Sequence, residues 1–175
     1  MQSSFRSNKA SLNSLDFGIE EDLLSALAAR FKLIRERTLA LCKPLQNEDY
    51  GVQPMPDASP PKWHLAHTTW FFETFLLKKY ANSYQSYHPA FEHLFNSYYN
   101  GVGDPFPRAQ RGALSRPTVA EILAYRKNID ENVLGLTLKA KGDRAAFEIA
   151  EILELGLHHE QQHQELLITD IKFNF

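Results

Sequence analysis

Two histidines four residues apart, His159 and His163, stand in the run LHHEQQHQELLITDIK. Ile149, Ile152, Leu155, Leu166 and Leu167 recur around them at helical spacing. On a helix, that separation projects both imidazoles from one face, one turn apart. Proteins offer two nitrogen ligands to one divalent metal in this way. Two imidazoles rarely complete a site, so a third ligand must come from elsewhere. The chain has seven His, and a second pair, His64 and His67, lies three apart in KWHLAHTTWFFETF; either can supply it. Three neutral imidazoles leave open positions on octahedral iron and one on tetrahedral zinc, which suits chemistry more than a purely structural site.

A histidine pair at this spacing also arises by chance. Here it sits in an apolar helix, where unpaired imidazoles are costly to bury, and this favours the metal. His158 points about 100° away from His159 on a helical wheel and is not expected to be a ligand. His88 and His93 fall in a loop and carry no expected role. Residues 159–163 also match the H-E-x-x-H pattern of zinc proteases, with Glu160 as general base. Those enzymes take a third ligand downstream, but only twelve residues follow His163 and none is His. Glu165 and Asp170 lie too near along the same helix, so the protease reading is set aside.

The elements that must hold these residues read as helices. Residues 1–17, rich in Ser and Asn, are expected to be disordered, and 18–175 to form one domain. Leu23, Leu24, Leu27, Phe31, Ile34 and Leu41 predict a first helix from Glu20 to Leu41, stopped near Pro44. The loop NEDYGVQPMPDASPP follows, with Ser59 expected to cap a second helix over 62–79 and Pro in its first turn. Residues 81–116 form a long aromatic-rich loop, a length more often functional than idle. Thr118 to Glu121 fits a capping box for a third helix ending near Leu138. After a turn at 141–143, a fourth helix runs over 144–172. No strand alternation appears. The expected fold class is all-α, a four-helix bundle with the long loop between helices 2 and 3.

Composition bounds the function. Hydrophobic residues make up 43% and charged residues 23%, ordinary for a globular protein. A net charge of -2 argues against non-specific nucleic-acid binding. The single Cys42 excludes an intramolecular disulfide and a Cys-based zinc knuckle. The polar N-terminus lacks an apolar signal core, and no apolar run approaches ~20 residues, so no membrane partner and a cytoplasmic location are expected. A homodimer is compatible with these properties.

Three segments carry a resemblance: SPPKWHLAHTTWFFETFLL, FNSYYNGVGDPFPRAQRGALSRPTVAEILAYR and HHEQQHQELLITDIK. Across roughly residues 20 to 172 the chain resembles the N-terminal domain of the ergothioneine-biosynthesis sulfoxide synthases, within the DinB-like metalloprotein superfamily. The resemblance implies non-haem iron(II), with zinc or nickel as alternatives in isolated protein, on His67, His159 and His163. His64 stands where the family varies, which places it behind the ligands with Glu160. The family uses O₂ to join a cysteine-type thiol to the imidazole of trimethylhistidine, giving a sulfoxide. Arg108 and Arg111 in PRAQRG match an Arg pair that holds the thiol's carboxylates, and Gln162 matches a Gln that contacts the imidazole substrate. Family members continue into a formylglycine-generating-enzyme-like domain that supplies a catalytic Tyr. This chain ends at Phe173-Asn174-Phe175, about where that domain would begin, and is expected to be incomplete on its own. Tyr98 and Tyr99 are the phenols that can be named as substitutes. Two alternatives stand beside this reading: a stand-alone DinB-like metal-dependent thiol transferase, and a non-catalytic metal-binding bundle.

Overall fold

In the computed structural model, described for residues 8–97, 101, 103–140 and 144–175, no strand occurs among the described residues and the fold is all-helical. α1 spans Asn8–Cys42 and α2 Pro61–Phe72; the helical path continues through a π segment, Glu73–Leu77, into α3, Lys78–Tyr80. α4 is Phe91–Phe95, α5 Val119–Lys139 and α6 Arg144–Asn174. Two 3-10 turns, Asn47–Gly51 and Arg108–Ala113, punctuate the loops. α1 starts well before Glu20, where the apolar periodicity begins. Of the segment 1–17, residues 1–7 lie outside the described residues, as does the turn expected at 141–143.

α1 packs on α5 and α6, and α2 packs on the same two helices. α1 buries one stripe, Leu24, Leu27, Phe31, Arg35, Thr38 and Cys42, spaced three and four apart. α2 is apolar nearly all round and buries every residue except Lys62, which makes it the central helix. α6 turns Ala146, Ile149, Ala150, Leu153, Gly156, Leu157, Glu160, Leu167 and Asp170 inward. No helix among the described residues is long and apolar enough to cross a membrane.

The start of α2 differs from the sequence expectation. Pro60, in extended backbone, takes the N-cap position, and Pro61 is the first helical residue. Ser59 is displaced from the cap because its groups serve other partners: its N–H donates to Asp170 Oδ2 (2.9 Å) and its Oγ accepts from Arg111 Nη1 (2.9 Å). At α5 the capping box forms as expected, with Glu121 N–H donating to Thr118 Oγ1 (3.2 Å) and Thr118 N–H to Glu121 Oε2 (2.6 Å).

The long loop is tied to the helical frame at Glu73 and braced on itself at Asn96. Tyr84 Oη (2.8 Å), Tyr87 N–H (2.7 Å) and the hydroxyl of Tyr125 all donate to the buried Glu73 carboxylate. Asn96 Nδ2 donates to the Gly103 carbonyl at 2.7 Å. The loop also contributes α4, which sequence periodicity did not reveal.

Gly156 sets the approach of α6 to α2. A Cβ at this position would fall 2.3 Å from Phe72 Cε1 and 3.0 Å from Phe71 Cε1. Phe72 is fully buried and cannot swing away. Gly156→Ala is therefore expected to destabilise the fold by about 1–3 kcal/mol through overpacking, less up to ~1 kcal/mol of helix propensity gained. Thermal unfolding followed by circular dichroism checks this; an unchanged or raised midpoint contradicts the close approach.

Candidate metal centre

α2 and α6 bring the histidines together. His64 and His67 come from one turn of α2, and His159 and His163 from one face of α6. One nitrogen each from His67, His159 and His163 lie within 4.8 Å of one another. The ring centroids are 4.9 Å apart for His67–His159, 4.7 Å for His67–His163 and 4.7 Å for His159–His163. His67 Nε2 and His159 Nε2 face each other at 3.2 Å. His67 is held on three sides: Trp63 stacks on it at 4.5 Å and 11°, Trp70 at 5.6 Å and 17°, and its Nδ1–H donates to the Phe95 carbonyl at 2.6 Å. His159 rests against Phe71, ring to ring at 4.7 Å.

The cluster suits a cation. Burial, together with the neighbouring His159, pushes the His67 pKa well below the usual imidazole range. Burial lowers His159 to about 4, and burial with the adjoining imidazoles lowers His163 further. All three are neutral at pH 7, the form in which an imidazole can ligate a metal. Buried His159 Nδ1 has no hydrogen-bond partner among the described residues, a cost that a purely structural packing would avoid. Three converging neutral nitrogens fit a divalent metal of the borderline class that imidazole prefers.

A cavity of about 250 Å³ opens on the cluster, lined by all four clustered histidines together with Arg108 and Arg111. Arg111 is buried; Nη1 donates to Ser59 Oγ (2.9 Å), Nη2 to Ser97 Oγ (3.0 Å), and its guanidinium lies 3.3 Å from the Trp63 ring centroid. Arg108 is exposed at the rim and donates to the Asp57 carbonyl. Gln162 lines this cavity and also a second one of about 530 Å³, whose walls include Phe71, Phe75, Ile152, Leu155 and His158. His158 is exposed on that wall and is not in the cluster. His88 and His93 are occupied locally, by Ala90 N–H and the Asp104 carbonyl. Tyr98 and Tyr99 lie outside the described residues.

Glu160 faces away from the histidines. Its carboxylate accepts from Arg35 Nη1 (2.9 Å), Thr38 Oγ1 (2.6 Å) and Arg126 Nη2. Burial alone would raise its pKa, but Arg126, Arg35 and these hydrogen bonds outweigh burial and hold it at about 2. A carboxylate so engaged does not serve as a general base, which agrees with setting the protease reading aside. It fixes the rotation of α6 one residue after His159.

Sequence reasoning missed Trp63, Ser59, Ser97 and the Phe95 carbonyl, which reach the site through the loop and through stacking. Asp170 was weighed only as a metal ligand. It sits seven residues after His163, about 20° short of two full turns, so helical spacing alone puts it on the histidine face.

A family model described as DinB superfamily matches residues 30–167, a span that includes all four clustered histidines, Arg108, Arg111 and Glu160. No curated protein matches the chain.

Proposed function

The chain belongs to the DinB superfamily, and from that premise we propose that it is the non-haem iron(II) domain of an O₂-dependent sulfoxide synthase of ergothioneine biosynthesis. Its four long helical segments are read as a DinB-type four-helix bundle. The observation that carries the functional reading is a single cavity holding His67, His159 and His163 beside Arg108 and Arg111. The segment resemblance to the sulfoxide synthases supports it, since the same positions carry the ligands and the Arg pair there.

The substrates are a cysteine-type thiol such as γ-glutamylcysteine and the imidazole of trimethylhistidine. One O₂ gives one oxygen to the sulfoxide and leaves with the thiol and ring C2 hydrogens as water, so no other oxidant is needed. Iron(II), when bound, supplies open positions at which thiolate, imidazole and O₂ can meet.

The chain's own residues bind and orient. Arg111 is held rigid by two hydroxyls and an aromatic face, which fixes its positive charge at the cavity wall for a substrate carboxylate. Arg108 at the rim adds a second cation for the thiol substrate's other carboxylate. Gln162, which lines both cavities, is assigned the hydrogen bond to the imidazole substrate, on the resemblance. Phe71 and Phe75 give the cavity on the far side of His159 an apolar wall. Proton delivery falls to a partner: we assign it to a formylglycine-generating-enzyme-like domain, on the resemblance.

The test uses protein loaded anaerobically with iron(II). γ-Glutamylcysteine should bind saturably, and Arg111→Gln should weaken it about 10-fold or more, the loss of one charge-assisted pair. Addition of trimethylhistidine and O₂, followed by mass spectrometry, should show no sulfoxide at a useful rate. Failure of the thiol to bind would remove the sulfoxide-synthase reading. Turnover of roughly 1 per second or faster would show the chain to be self-sufficient.

A further inference from the structure

Four imidazoles cluster, yet only three carry the proposed metal. The fourth, His64, sits between His163 and Asp170 and is almost fully buried, at 3% exposure. His64 Nε2 is 2.9 Å from Asp170 Oδ2, and His64 Nδ1 is 2.9 Å from His163 Nδ1. Asp170 Oδ2 also accepts the Ser59 N–H at 2.9 Å. These distances form one line of hydrogen bonds from the start of α2 to the His163 ring.

The direction of each bond follows from what each group can do. An ionised carboxylate only accepts, so His64 Nε2 carries the hydrogen. Asp170 is ionised: burial would raise its pKa, but the bonds from His64 and the Ser59 N–H outweigh that and hold it below the usual range. His64 Nδ1 and His163 Nδ1 face each other at 2.9 Å, so one of the two must donate and the other accept. A neutral ring protonated on Nε2 presents a lone pair on Nδ1. His163 Nδ1 must then donate, which leaves His163 Nε2 as a bare lone pair.

We propose that Asp170 and His64 form a positioning relay that fixes the Nδ1–H tautomer of His163 and so turns its Nε2 lone pair toward the metal site. His67 is locked in the same tautomer by a different partner, the Phe95 carbonyl. His159 has no such lock, since its Nδ1 is without a partner among the described residues. The relay is a carboxylate–histidine device with one imidazole interposed; partners behind metal ligands commonly set both tautomer and basicity. This role for Asp170 and His64 rests on the metal reading, but the tautomers themselves do not.

Long-range proton–nitrogen NMR of the histidine rings in the metal-free full chain tests it. His64 should carry its hydrogen on Nε2, and His163 and His67 on Nδ1. His64→Phe, which keeps the bulk and removes the acceptor, should release the His163 tautomer and leave that of His67 unchanged. Competition for zinc(II) against a chromophoric chelator gives the second readout. His64→Phe should weaken binding about 10- to 100-fold, and His64→Gln, whose side-chain oxygen can still accept from His163, should recover most of it. His163 protonated on Nε2 in the wild type, or equal zinc binding by wild type and His64→Phe, would overturn the relay. If the wild-type tautomers are as stated and zinc(II) does not bind, the relay stands and the metal reading fails.

Discussion

Replacing His159 or His163 with Ala is expected to drop bound divalent metal from one per chain to near zero at micromolar metal. His67→Ala should behave the same way. Metal binding to a protein site supplies about 10–16 kcal/mol over its full ligand set. Losing one imidazole of three therefore costs a few kcal/mol, on the order of 100-fold or more in affinity. His64→Ala should keep the stoichiometry while weakening affinity, because His64 acts through His163. Metal analysis of the four variants after purification without chelating resin checks this. Full stoichiometry in His159→Ala would show that the ligand set is wrong.

The second large effect is on stability. Glu160 is fully buried, with its carboxylate shared by Arg35, Arg126 and Thr38. Arg35 reaches further, to Asp130 Oδ1 (2.7 Å) and Thr69 Oγ1 (2.9 Å), and Arg126 to Thr68 Oγ1 (3.2 Å). One network thus ties α1, α2, α5 and α6 together at the level of the histidines. Glu160→Ala would leave buried Arg126 without its counter-ion and Arg35 with Asp130 alone, a loss of about 3–5 kcal/mol. For a domain of this size that is a midpoint drop of roughly 6–20 °C. The sign with pH follows from the lowered pKa. A carboxyl held at about 2 in the fold, against about 4.3 unfolded, contributes stability that is complete above about pH 5. That contribution is lost as pH falls from there through about 2. Thermal unfolding of wild type and Glu160→Ala should therefore converge as the pH is lowered across this window. A gap that stays constant would mean the charge is not what Glu160 contributes.

Much of the helical frame was legible in the sequence. The Thr118–Glu121 capping box, the Pro-bounded start of α2 and the 3.6-residue period of α6 each encode a local rule that tertiary structure had no reason to override. The His159–His163 pair was legible for the same reason, since a four-residue separation fixes a shared face. What escaped is non-local or breaks a local rule. Arg35 and Thr38 occupy core positions of α1 where periodicity leads one to expect apolar residues, and distant partners, Glu160 for both and Asp130 and Thr69 for Arg35, offset their burial. The π segment at Glu73–Leu77 carries no pattern distinct from α-helix; its glutamate is explained by three donors from α5 and the loop. Ser59 looked like a cap because caps are the common use of Ser before Pro, but Asp170 and Arg111 claimed its groups. The loop's share of the site, the Phe95 carbonyl, Ser97 and Arg111, has no period at all. The Arg pair was reached through resemblance, and the cavity places it beside the histidines.

The most direct measurement is X-ray absorption on the wild-type chain loaded with one equivalent of zinc(II). Three imidazole nitrogens at about 2.0–2.1 Å are the expected first shell, with any remaining position filled by oxygen from solvent. A shell with two imidazoles or fewer would contradict the three-histidine centre, and a shell with four would make His64 a ligand rather than the support behind His163.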